Sequence, residues 1–466
     1  MTLKVFNTMS RKKEAIRHKN LNLYTCGPTV YDYAHIGNMR AYLFYDLLKR
    51  YLTFKGVKVK HVMNLTDVED KIIRDSRKKG MPWKEFTEQY AKAFFEDLAT
   101  LRITPADVYP RATEHISDMV DVITKLMLRG YAYRGEDGSV YFSIKKFRHY
   151  GKLSRTKIKK LKTGARVKQD EYTKENAADF ALWKKYDEED GDVFWITPLG
   201  KGRPGWHIEC SVMSAKYLKT VDMHGGGIDL VFPHHENEIA QYEAASGKKF
   251  VKYWVHCNHL YAEGRKMSKS LGNFFTLRDI VQKGVDPVAF RYLCFSTHYR
   301  SQLNFTLQSV EDAKQTVDSI NDFVSRIAWL KDEVKAKPNH SLHVLIKRTR
   351  ERFARAMDDD LNTPAALAAV FDLIKGTNKA IDRNRADKKS LAAIYQFTTG
   401  IDRIFDVLKK HDMEITEEEE GLIEKREELR KQKRFEEADV IRAALKEKGV
   451  ILEDTPHGVR WKRIKR

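Results

Sequence analysis

Cysteine is scarce in this sequence, with four residues among 466, at positions 26, 210, 257 and 294. Cysteines so few and so scattered cannot form the framework of bridges that holds small secreted domains together. We therefore expect a protein of the reducing cytoplasm, in which a functional cysteine is more often a metal ligand than half of a disulfide.

Long apolar segments are also missing. The most apolar stretch, residues 365–374, contains Asp372, whereas a membrane-spanning helix needs about 20 predominantly apolar residues. The first 13 residues include basic side chains but no apolar core of the kind that a secretory signal requires. The sequence predicts neither a membrane span nor a secretory signal, while its 42% of hydrophobic residues exclude a wholly disordered chain.

Three common nucleotide and metal motifs are absent. Neither GxxxxGK[ST] nor GxGxxG occurs, so a nucleotide site in this chain does not use either glycine-rich phosphate cradle. The HExxH pattern of zinc proteases is missing too, because His235-Glu236 is followed by Asn237-Glu238.

Positive charge is in excess. The chain has 85 Lys and Arg against 65 Asp and Glu, a net charge of +20, and residues 145–168 contain eleven basic residues and no acidic one. This excess is typical of a nucleic-acid partner, although a solvated surface can have the same composition. If residues 145–168 form a surface that contacts nucleic-acid phosphates, as we expect, added salt will weaken the binding.

The first part of the chain has an α/β pattern. Residues 21–26 (LNLYTC) and 58–65 (KVKHVMNL) alternate as strands, and residues 41–54 between them have helical spacing. Strand, helix and strand in this order predict a parallel sheet, whose site lies at the carboxyl ends of the strands. Cys26 and Thr66 fall at those ends.

The last third is helical. Apolar residues recur every three or four positions after residue 305, and a further helix is predicted to begin with Thr363 as its N-cap and Pro364 as its first residue. Gly449 ends the last helix, and residues 450–464 read as a small β-hairpin. On this hairpin Arg460, Trp461, Lys462 and Arg463 offer stacking and phosphate contacts for unpaired bases.

Three segments carry the chemical signal. The first is YTCGPTVY at residues 24–31 with HIGN at 35–38, and the third is KMSKS at 266–270. The second combines GWHIEC at 205–210, HGGGIDL at 224–230 and FPHHENE at 232–238. Together they closely resemble the cysteinyl-tRNA synthetase family of class I aminoacyl-tRNA synthetases, over essentially the whole chain.

The resemblance implies the activation of an amino acid by ATP, with Mg²⁺. His35 and Asn38 correspond to the HIGH motif, with Asn38 in place of its second histidine, and stand at a helix start where donors can face phosphates. Lys266 and Lys269 correspond to the KMSKS motif and would bind the pyrophosphate as point charges. Gly226, Gly227 and Asp229 correspond to the segment that meets the ATP ribose.

The resemblance also implies one zinc ion per chain. The matching ligands are Cys26, Cys210, His234 and Glu238, and His235 is an alternative to His234 because it lies three residues before Glu238. Zinc would select the substrate thiolate over the harder hydroxyl of serine, without an editing domain. Gly27, Thr66 and Trp206 are expected to line the cysteine pocket, whereas Cys257 and Cys294 read as core.

The implied architecture is a Rossmann-like α/β catalytic domain with an insertion, followed by an α-helical bundle and a small α+β module. The expected segments, in chain order, are the first catalytic half 1–130, the basic connective insertion 131–203, the second catalytic half 204–260, the KMSKS and stem-contact region 261–305, the helical bundle 306–404 and the anticodon-binding module 405–466. The expected partners are tRNA(Cys), L-cysteine and ATP, with no membrane, for a monomer in the cytoplasm.

Two other functions fit part of the pattern. A related ligase transfers cysteine to an amino sugar but lacks a full anticodon module, whereas this chain has residues 438–466. A non-catalytic RNA-binding homologue would not be expected to keep His35, Lys266, Lys269 and the four metal ligands.

Overall fold

The computed structural model describes residues 2–156, 179–268, 272–334, 339–409, 415–455 and 458–463. Lys269 and the second half of the basic stretch, from residue 157 onward, lie outside the described residues. The chain forms two compact units. One contains residues 2–287 and 297–306, and the other contains residues 288–296 and 307–466.

The first unit is built on a four-stranded parallel sheet in the order β11-β10-β3-β4. Its elements are β1 (Lys4–Asn7), β2 (Lys12–Ala15), β3 (Asn20–Thr25), α1 (Ile36–Phe54), β4 (Lys58–Met63), α2 (Asp70–Lys78), α3 (Trp83–Thr100), α4 (Ile116–Leu128), β5 (Ala132–Arg134), β6 (Val140–Phe142), β7 (Phe180–Lys185), β8 (Trp195–Thr197), β9 (Gly200–Pro204), α5 (Trp206–Leu218), β10 (Val221–Gly227), α6 (His234–Ser246), β11 (Val251–Cys257), β12 (Leu260–Ala262), β13 (Arg265–Lys266), α7 (Leu277–Gln282) and β14 (Leu303–Phe305). The predicted α/β fold is confirmed: α1 connects β3 to the parallel β4, and α6 connects β10 to β11.

The sheet is buried on both faces, as parallel sheets are. Leu23, Tyr24 and Val62 are fully buried, and β3 pairs in register with β4 on one side and with β10 on the other. The pairing continues past the strands, because Thr66 N–H donates to the Pro28 carbonyl and Val30 N–H donates to the Thr66 carbonyl, both at 3.0 Å. The carboxyl ends of β3, β4 and β10 therefore meet at one edge.

A second sheet interrupts this unit between α4 and α5. It has five antiparallel strands in the order β5-β6-β7-β9-β8. Asp70, in the first turn of α2, binds Lys184 of β7 at 2.8 Å and also Arg203 of β9. Both cations are buried and the Asp70 side chain is partly exposed, so this carboxylate connects the inserted sheet to the parallel-sheet body at the surface.

The second unit is mostly helical, with a terminal hairpin. Its elements are α8 (Pro287–Ser296), α9 (Leu307–Glu333), α10 (His340–Asp358), α11 (Thr363–Asp382), α12 (Lys388–Phe405), α13 (Glu417–Lys431), α14 (Phe435–Glu447), β15 (Val450–Thr455) and β16 (Gly458–Arg463). Among the described residues, no helix is long and apolar enough to cross a membrane.

The hairpin β15–β16 changes the interpretation of Arg460 and Trp461. Arg460 is buried, and its guanidinium donates to the Asp322 carbonyl at 2.9 Å and pairs with Glu453. Trp461 packs against the small core of α13, α14 and β15. The prediction that Arg460 contacts RNA is therefore wrong, because this buried side chain is already paired with groups of the protein. Trp461 uses part of its surface for packing inside the protein.

The start of α11 differs by one residue from the prediction. Asn362, not Thr363, is the N-cap, because its side-chain oxygen accepts from Ala365 N–H at 3.2 Å. We expect Asn362→Ala to lower the free energy of unfolding of this unit by about 1 kcal/mol, the usual value of a helix cap. Urea unfolding followed by circular dichroism will measure it. Asn362→Asp, which keeps the acceptor, should be neutral, and an equal loss for both variants would contradict the cap.

Candidate active site and metal cluster

A cavity of about 340 Å³ lies at the carboxyl ends of β3 and β10. The predicted site residues that line it are Cys26, Gly27, His35, Asn38, Trp206, Gly227, Asp229 and Lys266. The parallel sheet thus brings together residues that are up to 240 positions apart in the sequence.

His35 and Asn38 form a reciprocal cap at the start of α1. Asn38 N–H donates to His35 Nδ1 at 3.1 Å, and His35 N–H donates to Asn38 Oδ1 at 3.2 Å. Because Nδ1 accepts, the ring proton of the neutral imidazole is on Nε2. Burial lowers the pKa of His35, and the charge of Asp229 opposes this only in part. His35 Nε2–H and Asn38 Nδ2 therefore remain as neutral donors beside the helix N-terminus.

The side chain of Asn273 holds the segment around Lys266 in place. The side chain of Asn273 accepts from Ser268 N–H at 2.9 Å and donates to the carbonyls of Ala262 and Lys266, both at 3.2 Å. Two residues after Asn273, the Phe275 carbonyl accepts from Ile36 N–H at 2.9 Å, so this part of the chain is hydrogen-bonded directly to α1. Lys266 consequently stands at the same cavity as His35. Lys269 lies outside the described residues.

The glycines near the cavity have different neighbours. A Cβ on Gly27 would lie 1.8 Å from the Asn64 carbonyl oxygen, and Gly27 N–H donates to Asn64 Oδ1 at 3.0 Å. A Cβ on Gly226 would lie 2.3 Å from Cε1 of His235, so the missing side chain of this buried residue makes room for that ring. A Cβ on Gly227 would meet the carboxylate of Asp229 at 2.4 Å.

Thr66 is buried rather than open to the cavity. Its hydroxyl donates to Glu209 Oε2 at 2.7 Å and accepts from Asn64 Nδ2 at 3.2 Å. Glu209 is fully buried in α5, next to Cys210, and burial raises its pKa well above the usual range. Sequence reasoning missed Asn64 and Glu209, although both stand beside residues that it did select.

Cys26, Cys210, His234 and Glu238 come together behind the cavity. One ligand atom from each, two sulfurs, one imidazole nitrogen and one carboxylate oxygen, lies within 4.8 Å of all the others, and all four residues are buried. Atoms that bind one zinc ion at 2.0–2.3 Å lie within about 4 Å of each other. The donor set and its spacing therefore fit a zinc ion after a small contraction.

A second set of four overlaps the first. Cys26, His224, His235 and Glu238 satisfy the same 4.8 Å condition. His224 Nε2 is 2.8 Å from Glu238 Oε2, and His235 Nε2 is 3.3 Å from Cys26 Sγ. The sequence suggested His235 as an alternative ligand but gave no role to His224, which precedes the glycine run that ends β10.

Two ligands of the first set, Cys210 and Glu238, have lowered pKa values, whereas burial raises the pKa of Cys26 and, against burial, the charges of Glu238 and Cys210 raise that of His234 to about 10. Burial opposes the ionisation of Cys210, but hydrogen bonds with Cys26 and His234 lower its pKa to about 6. Burial also opposes the ionisation of Glu238, yet its two histidine neighbours, His224 and His234, lower its pKa to about 2. A thiolate and a carboxylate are the forms that bind a metal ion.

His235 is occupied by other contacts. Its Nδ1 is 2.9 Å from His256 Nε2, and His256 Nδ1 is 2.7 Å from Thr8 Oγ1. Burial, followed by the surrounding histidines, lowers the pKa of His235 well below its usual value. His235 is therefore a neutral ring between Cys26 and His256.

Sequence comparisons cover most of the chain. Residues 12–315 match the family "tRNA synthetases class I (C) catalytic domain", residues 352–409 match the DALR domain, and residues 412–461 match the cysteinyl-tRNA ligase anticodon binding domain. The cysteine–tRNA ligase of Brachyspira hyodysenteriae is 46% identical over an alignment of 470 positions that covers 98% of each chain. That of Chlamydia muridarum is 46% identical over an alignment of 480 positions that covers 100% of both chains.

A solved structure shows the same fold at low identity. Methionyl-tRNA synthetase of Mycobacterium tuberculosis, in complex with methionyl-adenylate, superposes with a TM-score of 0.63 at 13% identity and covers 83% of this chain and 92% of its own. The fold is thus that of a class I synthetase, and the identity to the curated relatives extends over the full length. This chain belongs to the cysteine–tRNA ligase family of class I aminoacyl-tRNA synthetases.

Proposed function

We propose that this enzyme joins L-cysteine to ATP, forming cysteinyl-adenylate and pyrophosphate, and then transfers the cysteinyl group to tRNA(Cys). The observation that carries the proposal is a single cavity lined both by Cys26 of the metal cluster and by His35, Asn38 and Lys266. An amino acid held at the cluster and ATP phosphates held at α1 would then be close enough to react.

Neutral hydrogen-bond donors and positive charges bind the phosphates of ATP. In the activation step the carboxylate oxygen of cysteine bonds to the α-phosphorus of ATP, and the bond to the leaving pyrophosphate breaks. His35 Nε2–H and Asn38 Nδ2 supply donors at the positive end of α1, and Lys266, together with Lys269, supplies positive charge for the pyrophosphate, with Mg²⁺ as the counter-ion of ATP. Asp229 and the backbone of Gly227 are assigned to the ribose.

We assign the zinc ion to Cys26, Cys210, His234 and Glu238 rather than to the second set. This set offers two sulfurs, which zinc prefers over a mainly imidazole set in a site that must distinguish thiols. His224 and His235 then act by hydrogen bonding to the ligands Glu238 and Cys26. When bound, zinc would supply a soft contact for the thiolate of cysteine that the hydroxyl of serine does not match.

Around the ligands, this chain's own residues shape the cysteine pocket. Trp206 stacks on the ring of His234, with ring centroids 4.3 Å apart, and thereby fixes that ligand at the cavity wall. The Thr66 hydroxyl is hydrogen-bonded to Asn64, which in turn accepts from Gly27 N–H, and to Glu209 of α5. Thr66 thereby helps to position both Gly27 and α5. A cytoplasmic monomer remains the prediction from the sequence.

One assay in two stages tests the function on the full chain. ATP–pyrophosphate exchange should depend on cysteine and should proceed far more slowly with serine, and labelled cysteine should then pass to tRNA(Cys) but not to a tRNA with another anticodon. Exchange without transfer to tRNA would support the cysteine ligase instead. RNA binding without exchange would overturn catalysis altogether.

A further inference from the structure

Two turns on the surface of the first unit are joined by a pair of arginines. Arg11, in the turn between β1 and β2, donates from Nη2 to the Leu153 carbonyl at 3.0 Å. Arg155, in the turn formed by residues 151–155, donates from Nη2 to the Met9 carbonyl at 3.3 Å. Each arginine therefore contacts the turn that carries the other, and the two guanidinium groups are held as neighbours.

The two charges affect each other. Burial and then the positive charge of Arg155 lower the pKa of Arg11. Within the described residues, neither guanidinium forms an ion pair with a carboxylate. Lys152, on the same turn as Arg155, is by contrast paired with Glu243 at 2.6 Å, and Glu14 of the hairpin is bonded to Asn7 and Ser10. Two adjacent positive charges without a counter-charge are suited to an anionic ligand.

The turn that carries Arg155 is fixed by α6. The carboxylate of Glu236, fully buried, accepts from the backbone N–H groups of Gly151 at 2.9 Å, Leu153 at 3.1 Å and Ser154 at 2.9 Å. Gly151 has φ +88°, and a Cβ there would lie 2.2 Å from the Thr156 carbonyl oxygen. The turn is therefore preorganised, so that binding an anion does not have to order it first.

We propose that Arg11 and Arg155 together bind one phosphate of the tRNA backbone. A guanidinium has five N–H donors in a planar fork that matches phosphate oxygens, and the bond to a carbonyl uses only one of them. Both arginines are exposed at the surface, as contact with a large polyanion requires. The proposal rests on the proposed function, since tRNA is the RNA that such an enzyme binds.

The salt dependence of tRNA binding provides the test. Arg11→Gln, Arg155→Gln and the double variant are compared with the wild type by measuring the Kd for tRNA(Cys) at several salt concentrations. We expect each single variant to weaken binding by about three- to tenfold, and the double variant to reduce the slope of log Kd against log salt by about 0.7–0.9, the value of one phosphate contact. Because one arginine still contacts the phosphate in each single variant, a single variant should lose less slope than the double variant.

Lys4→Gln is the matched control, because it removes one positive charge from the other end of the same hairpin and should leave the slope unchanged. An unchanged Kd and slope in both arginine variants would overturn the proposal, and a slope loss of about two contacts in the double variant would overturn the shared phosphate. A raised ATP KM in pyrophosphate exchange with unchanged tRNA binding would assign the pair to a nucleotide instead. Failure of the proposed function is distinguishable, because the wild type would then show neither exchange nor tRNA charging.

Discussion

Cys210→Ser is expected to remove zinc from the protein and to reduce cysteine-dependent pyrophosphate exchange by about 10³-fold, equivalent to about 4 kcal/mol of transition-state stabilisation. The thiol of Cys210 has a pKa near 6 and is therefore available as a thiolate, whereas a serine hydroxyl stays protonated at neutral pH. Metal analysis of the purified protein gives the first readout, and exchange with cysteine and with serine gives the second.

This variant also distinguishes between the two sets of ligands. Cys210 belongs only to the set with His234, whereas Cys26 and Glu238 belong to both. If Cys210→Ser keeps one zinc ion per chain, the set with His224 and His235 is the correct one and our assignment is wrong. Cys294→Ser is the control, because Cys294 is a buried cysteine outside both sets and its replacement should leave the zinc content unchanged.

Among substitutions that add a single methyl group, Gly27→Ala is expected to be the most damaging. The new Cβ would lie 1.8 Å from the Asn64 carbonyl oxygen and 3.0 Å from Met63 Cγ, and the first of these neighbours is backbone that cannot rotate away. The ends of β3 and β4 would have to separate, which we expect to cost about 3 kcal/mol of stability and to reduce exchange by about 100-fold or more.

Urea unfolding and pyrophosphate exchange will measure these two effects of Gly27→Ala. Gly421→Ala is the control, since Gly421 lies within α13 and a Cβ there has no neighbour within 4 Å. This control should be neutral, or stabilising by about 0.5–1 kcal/mol, because alanine favours a helix over glycine. If Gly27→Ala keeps wild-type stability and exchange, the close approach of β3 to Asn64 is not required for the site.

The sequence was sufficient to predict the parallel sheet and the place of the cavity. Alternation and helical spacing are local properties, so residues 21–26 and 58–65 could be recognised as strands without any knowledge of their neighbours. Cys26 and Cys210 are 184 residues apart, and spacing alone could not pair them. Only the resemblance to a family suggested that these two cysteines lie close together. Members of a family share a fold, whereas local sequence patterns say nothing about which distant residues meet.

Other features could not be predicted because they depend on packing across the fold. Gly226 was assigned to the segment that meets the ATP ribose, and its missing side chain makes room for the ring of His235, which the sequence did not indicate. His224 becomes a neighbour of Glu238 only when β10 and α6 pack together. Arg460 was expected to face RNA, yet it pairs with Glu453 opposite it on β15 and with Asp322 of α9, an element that the hairpin meets only after folding.

The contact of Asp70 with Lys184 and Arg203 has a consequence for how the first unit unfolds. A five-stranded sheet inserted into another domain could open on its own, as an independent cooperative unit. Here two of its inner strands, β7 and β9, share one carboxylate with α2, and Arg203 also pairs with Asp190 at 2.9 Å. Detaching the inserted sheet would separate these charges and expose them together. Amide protons of β7 and β9 should therefore exchange with solvent at the same slow rate as those of the parallel sheet, as members of one foldon.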